Sequence, residues 1–172
     1  MKELEGKVAL VTGAGQGVGE GIALALAAEG VNVVVTGRTE EKLVKTVTAI
    51  VDRGGKALAV VCNVKSSTDL ARAVNETISH FGRLNILVNN AQEVPNGLLN
   101  EVSDEVFTAG FESGPLATLR LMKLAYPHLK GDGCIVNLAS TVAKRWDMSG
   151  YGAYAAVKEA IRSLTRAAAC EW

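Results

Sequence analysis

Tyr154 and Lys158 stand four residues apart in YGAYAAVK, and Ser140 closes an apolar run fourteen residues before that tyrosine. Residues four apart share one face of a helix. A phenol, an amine and a hydroxyl in one place suit proton transfer at a carbon bearing oxygen. Reducing a carbonyl needs a proton for the developing alkoxide, and oxidising an alcohol needs the reverse. A tyrosine of ordinary pKa about 10 must fall by roughly 3 units, about 4 kcal/mol, to act as a base near neutrality. An adjacent ammonium pushes it that way. A serine hydroxyl can hold the carbonyl oxygen in line. The pair by itself also fits packing tyrosines, Tyr151 and Tyr154, beside a solvated Lys158.

The second concentration of unusual residues is TGAGQGVG, 12–19, four glycines in eight residues directly behind KVALV. Glycines between a strand and a helix permit a tight turn and close approach of a phosphate to the helix N-terminus. A nucleoside-triphosphate loop needs G-x-x-x-x-G-K-[ST], and no lysine lies between Lys7 and Lys42. The spacing is TG-x-x-x-G-x-G, through Gly13, Gly17 and Gly19, and not the G-x-G-x-x-G of the usual dinucleotide fingerprint. Where such sites carry an acid for the ribose 2′-hydroxyl, this chain has Gly37 followed by Arg38. An arginine there pairs with a 2′-phosphate, which favours the phosphorylated dinucleotide, NADP, with NAD as the alternative.

The elements that position these residues alternate. Apolar runs at 7–12, 31–37, 56–62, 84–90 and 133–140 predict five strands, most of them apolar throughout as in sheets covered on both faces. Between and after them, 17–30, 39–54, 66–82, 101–110, 114–129 and 151 to the end predict helices. Val18, Ile22, Ala25, Leu26 and Glu29 give the first helix its inward face. The pattern predicts a Rossmann-type doubly wound parallel sheet, α/β/α in three layers, as one dinucleotide-binding domain over 1–172. The longest irregular stretches, 91–103 and 140–150, follow strand C-termini, where open α/β sheets place ligands. Trp146, in the second stretch, is a candidate to line a substrate site or to fold over its loop.

Composition narrows the partners. Eighteen basic and eighteen acidic residues give no net charge and no basic tract, so nucleic acid is not an expected partner. No apolar segment has the roughly 18 residues that a membrane span requires. Cys62, Cys134 and Cys170 are odd in number and scattered, which fits a reducing compartment; the expected location is the cytoplasm. No metal site is expected from them.

Together, TGAGQGVG, NNA at 89–91, Ser140 and Tyr154-x-x-x-Lys158 resemble the classical branch of the short-chain dehydrogenase/reductase family, along the whole chain. The resemblance implies hydride transfer between NAD(P)H and a carbonyl or alcohol carbon of a small molecule, and a homo-oligomer for the full-length protein. It makes Tyr154 the catalytic acid/base, Ser140 the hydroxyl that orients substrate, and Lys158 the residue that lowers the tyrosine pKa and holds the nicotinamide ribose. Gly13, Gln16, Gly17, Val18 and Gly19 would line the pyrophosphate and ribose. Asn89 and Ala91 would lie along the cofactor, and Asn63 would meet the adenine, where the family usually has Asp.

Three departures stand out. The family's NNAG reads NNAQ, so Gln92 replaces a glycine and is strained if that position has positive φ. Counting back from Pro127, the family's helical asparagine falls on Gly114. In the family, that residue's backbone carbonyl supports a water leading to the lysine, so a weakened proton relay is expected here. The chain also ends inside a helix, whereas related chains continue with two further strands and lid helices. A fold incomplete on its C-terminal side, as a truncated member or a fragment, is therefore expected. A non-catalytic dinucleotide-binding or scaffold protein, or an inactive fragment of such an enzyme, remains the alternative reading.

Overall fold

The computed structural model describes residues 3–145 and 147–172. The five apolar runs become β1 (Val8–Thr12), β2 (Asn32–Gly37), β3 (Ala57–Val61), β4 (Ile86–Asn89) and β5 (Cys134–Asn137) in one sheet of order β3-β2-β1-β4-β5. β1 pairs in parallel with both β2 and β4, and β2 with β3. The chain winds outward from β1 to β3, then returns to β1's other side as β4. The C-terminal ends of β1 and β4 therefore form a topological switch point, where open α/β sheets bind ligands. β1 is buried at every position, which is why VALVT shows no polar alternation.

The helices are α1 (Gly17–Ala28), α2 (Glu40–Val51), α3 (Ser67–Phe81), α4 (Asp104–Phe111), α5 (Ala117–Leu129) and α6 (Gly152–Glu171). Ser66 caps α3 by accepting from the Asp69 N–H, and Gly82, at φ 77°, ends it. Ser103 caps α4 through the Val106 N–H, which sets its start three residues later than the sequence pattern implies. The chain forms two compact units: Met1–Ala91 with Arg120–Val136, and Gln92–Leu119 with Asn137–Trp172.

Three expectations need correction. α1 does not turn Val18 and Ala25 inward: Val18 is 66% exposed, and Gly19 and Ala23 are the buried positions. The cause is the close approach of Gly19 to the preceding loop, where a Cβ would stand 2.3 Å from the Gly13 carbonyl oxygen. That contact fixes the helix's rotation. Second, the expected gap between the helices at 101–110 and 114–129 is a π-helical turn, Glu112–Leu116. Pro115 lacks an N–H for the α register, and one extra residue in the turn absorbs the defect. Third, β5 stops at Asn137; Ser140 lies beyond it and caps a 3-10 turn, Thr141–Lys144.

Candidate functional site

The first group of site residues lies in the first unit, around the switch point. Gly13 and Gly17 take positive φ, 64° and 58°, which explains why both are glycine. Gln16 occupies the N-cap position of α1, yet makes no side-chain capping bond, unlike Ser66 and Ser103. The first-turn N–H groups of α1 therefore keep their capacity for an anionic ligand. Gln16 and Val18 are exposed and Gly19 is buried.

Thr12 and Asn90 tie β1 to the end of β4. The Thr12 hydroxyl donates to Val88 O at 3.3 Å and accepts from the N–H groups of Asn90 and Ala91 at 2.9 and 3.0 Å. Asn90 Nδ2 donates to the carbonyls of Thr12 (2.8 Å) and Gly13 (3.3 Å). Asn89 is buried at the end of β4, and Ala91 abuts Gly13, whose Cβ position lies 3.0 Å from the Ala91 Cα. Neither Thr12 nor Asn90 is singled out by sequence reasoning, although both belong to the motifs it quotes. The missing signal was their mutual bonding across 78 residues.

Arg38 is exposed directly after β2. Lys42, in the first turns of α2, donates from Nζ to Gln16 Oε1 and brings a second cation to the glycine loop. Sequence reasoning missed it; its place one turn into the helix after Arg38 was the available signal. Asn63 is less open than expected. Its Oδ1 accepts from the Lys65 N–H at 3.1 Å and its own N–H donates to Asp69 Oδ2 at 2.9 Å. The amide oxygen assigned to the adenine amine is thus already engaged locally. Cys62 is buried, with its thiol pushed up to about 11 by desolvation and the nearby Asp69. It is a core residue and not a nucleophile.

The second group lies in the second unit, and here Ser140, Tyr154 and Lys158 come together. α6 places Tyr154 and Lys158 one turn apart, with Lys158 Nζ 5.6 Å from the centre of the phenol ring. Lys158 is buried, and Nζ donates to Leu138 O at 2.7 Å. Burial lowers its pKa from 10.5 to about 8. Ser140 Oγ accepts the Val142 N–H at 3.2 Å and is hydrogen-bonded to the Tyr154 hydroxyl. The expected depression of the Tyr154 pKa is not present. Desolvation holds the phenol above its usual value, and the Ser140 bond offsets part of that rise.

Gln92 is not strained, because no residue other than glycine has positive φ among the described residues. Trp146 lies outside the described residues. Among the described residues no group of three His, Cys, Asp or Glu could hold a metal ion, and no helix is long and apolar enough to cross a membrane.

The family model for short chain dehydrogenases matches residues 7–172. A 12alpha-hydroxysteroid dehydrogenase of Clostridium sp. is 40% identical over 98% of this chain and 68% of its own length. A short chain dehydrogenase of Emericella nidulans, mdpC, is 37% identical over 95% of this chain and 62% of its own length. Among solved structures, a short chain dehydrogenase of Burkholderia cenocepacia in complex with NADP superposes with a TM-score of 0.93 at 33% identity, covering 98% of this chain and 69% of that one. A short-chain dehydrogenase/reductase of Serratia marcescens gives 0.94 at 32% identity with the same coverage. The chain therefore spans about two thirds of the relatives it matches, consistent with a fold incomplete relative to theirs.

Proposed function

The chain belongs to the short-chain dehydrogenase family, and from that premise we propose that it is an NADP(H)-dependent oxidoreductase acting on a carbonyl/alcohol pair of a small molecule. The observation that carries the reading is the grouping of Ser140, Tyr154 and Lys158, with Ser140 hydrogen-bonded to the phenol and Lys158 Nζ 5.6 Å from the centre of its ring.

The residues fit a dinucleotide. A Cβ at Gly19 would collide with the Gly13 carbonyl, whereas Gly17 has nothing within 4 Å, so the loop is tight behind and open in front. The uncapped first turn of α1 would face the pyrophosphate, flanked by Gly13, Gln16, Gly17 and Val18, with Asn89 and Ala91 further along. Arg38 and Lys42 supply positive charge for a 2′-phosphate, which supports NADP over NAD. When bound, the nicotinamide supplies or accepts the hydride.

The chain's own groups move the proton. Ser140 donates to the substrate oxygen and holds it beside the Tyr154 hydroxyl. Tyr154 gives its proton to that oxygen in reduction and takes it back in oxidation. Lys158, fixed by Leu138 O, places positive charge near the ring, where it stabilises the phenolate left behind. The naming of one relative as a hydroxysteroid dehydrogenase supports an alcohol/ketone pair as the substrate class.

The test is equilibrium binding of NADPH and NADH to the full chain, followed by tryptophan fluorescence, and then turnover with a carbonyl panel. Tighter NADPH binding with turnover of at least one carbonyl supports the reading; binding without turnover across the panel favours a non-catalytic dinucleotide-binding protein.

A further inference from the structure

Two departures from the family pattern meet in one place. A Cβ on Gly114 would stand 2.7 Å from both Nε2 and Oε1 of Gln92, and 2.9 Å from Val157 Cγ1. Gly114 does not have positive φ, so its backbone does not demand glycine; the space does. The glutamine amide lies over position 114 where a side chain would otherwise stand.

The amide is also oriented. Both Nε2 hydrogens are used, on Glu93 O and Gly110 O, each at 3.0 Å. Gly110 O is the carbonyl that the N–H of residue 115 would satisfy in π register, and Pro115 has none. Gln92 supplies that missing donor. Ser113 adds a second tie to the turn, accepting from the Glu93 N–H at 2.9 Å and donating to Ala109 O at 2.7 Å. With Nε2 committed, Oε1 is left buried with no donor among the described residues. A buried acceptor without a partner is destabilising, so the site favours a small donor such as a water molecule. Val157, against position 114, is the chain neighbour of Lys158 on α6.

We propose that Gln92 is a positioning residue for the Tyr154–Lys158 pair. It locks the π-turn that packs on α6, fills the volume left by the missing side chain at 114, and presents Oε1 to a buried water. The proposal rests on the reading of Tyr154 and Lys158 as the proton-transfer pair. It puts the amide of Gln92, from another element, in the space that a side chain at 114 would take.

The experiment compares the native chain with G114N, Q92G, Q92G/G114N and Q92M, measuring unfolding midpoint, NADPH affinity, kcat and KM. G114N alone is expected to lose stability and at least tenfold in kcat, because the new side chain must displace Gln92. Q92G/G114N is expected to recover kcat to within about threefold of native. Q92M keeps the volume without the amide, and is expected to fold and bind NADPH normally while kcat falls about tenfold at unchanged KM. Native kcat in Q92M, or a double variant no better than G114N, overturns the proposal. A native chain that turns over nothing counts against the oxidoreductase reading; the unfolding midpoints then decide the 92–114 coupling, and additive losses in the double variant overturn it.

Discussion

Lys158 Nζ is held by the Leu138 carbonyl at 2.7 Å while lying 5.6 Å from the centre of the Tyr154 ring. One bond thus fixes an ammonium beside the phenol that carries the proton in the proposed reaction. Ser140 approaches the same phenol from the 3-10 turn after β5. The proposed chemistry depends on these three positions.

Removing the phenol hydroxyl removes the proton donor and little else. Y154F is expected to lower kcat on the order of 10²–10⁴-fold, the usual contribution of a general acid. NADPH affinity should stay within a few-fold of native. Steady-state kinetics beside a binding titration checks this, and near-native kcat in Y154F would remove Tyr154 from the mechanism.

Burial of Lys158 makes stability pH-dependent with a defined sign. Its pKa is about 8 in the folded chain against 10.5 in the unfolded one. Between those values the unfolded chain binds more protons, so this lysine's contribution to stability rises with pH. Below about pH 8 the cost of burying the charged form is fully present. Denaturant melts of native and K158M between pH 7 and 10 isolate the effect. The native chain should gain on K158M across that range, and parallel curves would refute the shift.

Arg38 is expected to discriminate between the two dinucleotides. A hydrogen bond to a charged group contributes roughly 1.5–3 kcal/mol, so R38A should weaken NADPH binding by about tenfold to a hundredfold. NADH, which lacks the 2′-phosphate, should be little affected. K42A should act in the same direction through the second cation. Equal losses for both dinucleotides would show that Arg38 does not read the 2′-phosphate.

The Thr12 hydroxyl joins β1 to the end of β4 through three partners. T12V keeps the shape and strands those buried groups, which should cost about 2–3 kcal/mol. A shift of that size in urea melts, with weaker dinucleotide binding, is expected. An unchanged midpoint would show that the switch point is held by other contacts.

The alternation of strands and helices was legible because continuous apolar runs and glycine stops carry local signals. That Ser140, Tyr154 and Lys158 come together was legible too, since two of them share a helix face and the third precedes that helix closely. What stayed hidden depends on contacts far apart in the chain. The Thr12–Asn90 bonds join residues 78 positions apart. The inward face of α1 is set by the approach of Gly19 to the Gly13 carbonyl, which no periodicity encodes. Gln92 and Gly114 each read as a defect when taken alone; only their proximity makes them complementary. The direction of the Tyr154 pKa also resisted prediction, because it is set by burial of the phenol, which the sequence does not show.

The central claim is hydride transfer coupled to protonation by Tyr154. The most direct measurement incubates the full chain with NADPH deuterated at the transferable position and a panel of ketones and aldehydes, then weighs the alcohol products. The account predicts one deuterium on the carbinol carbon of at least one product, lost in Y154F. NADPH bound at saturation with no deuterium in any product, or labelling undiminished in Y154F, would contradict it.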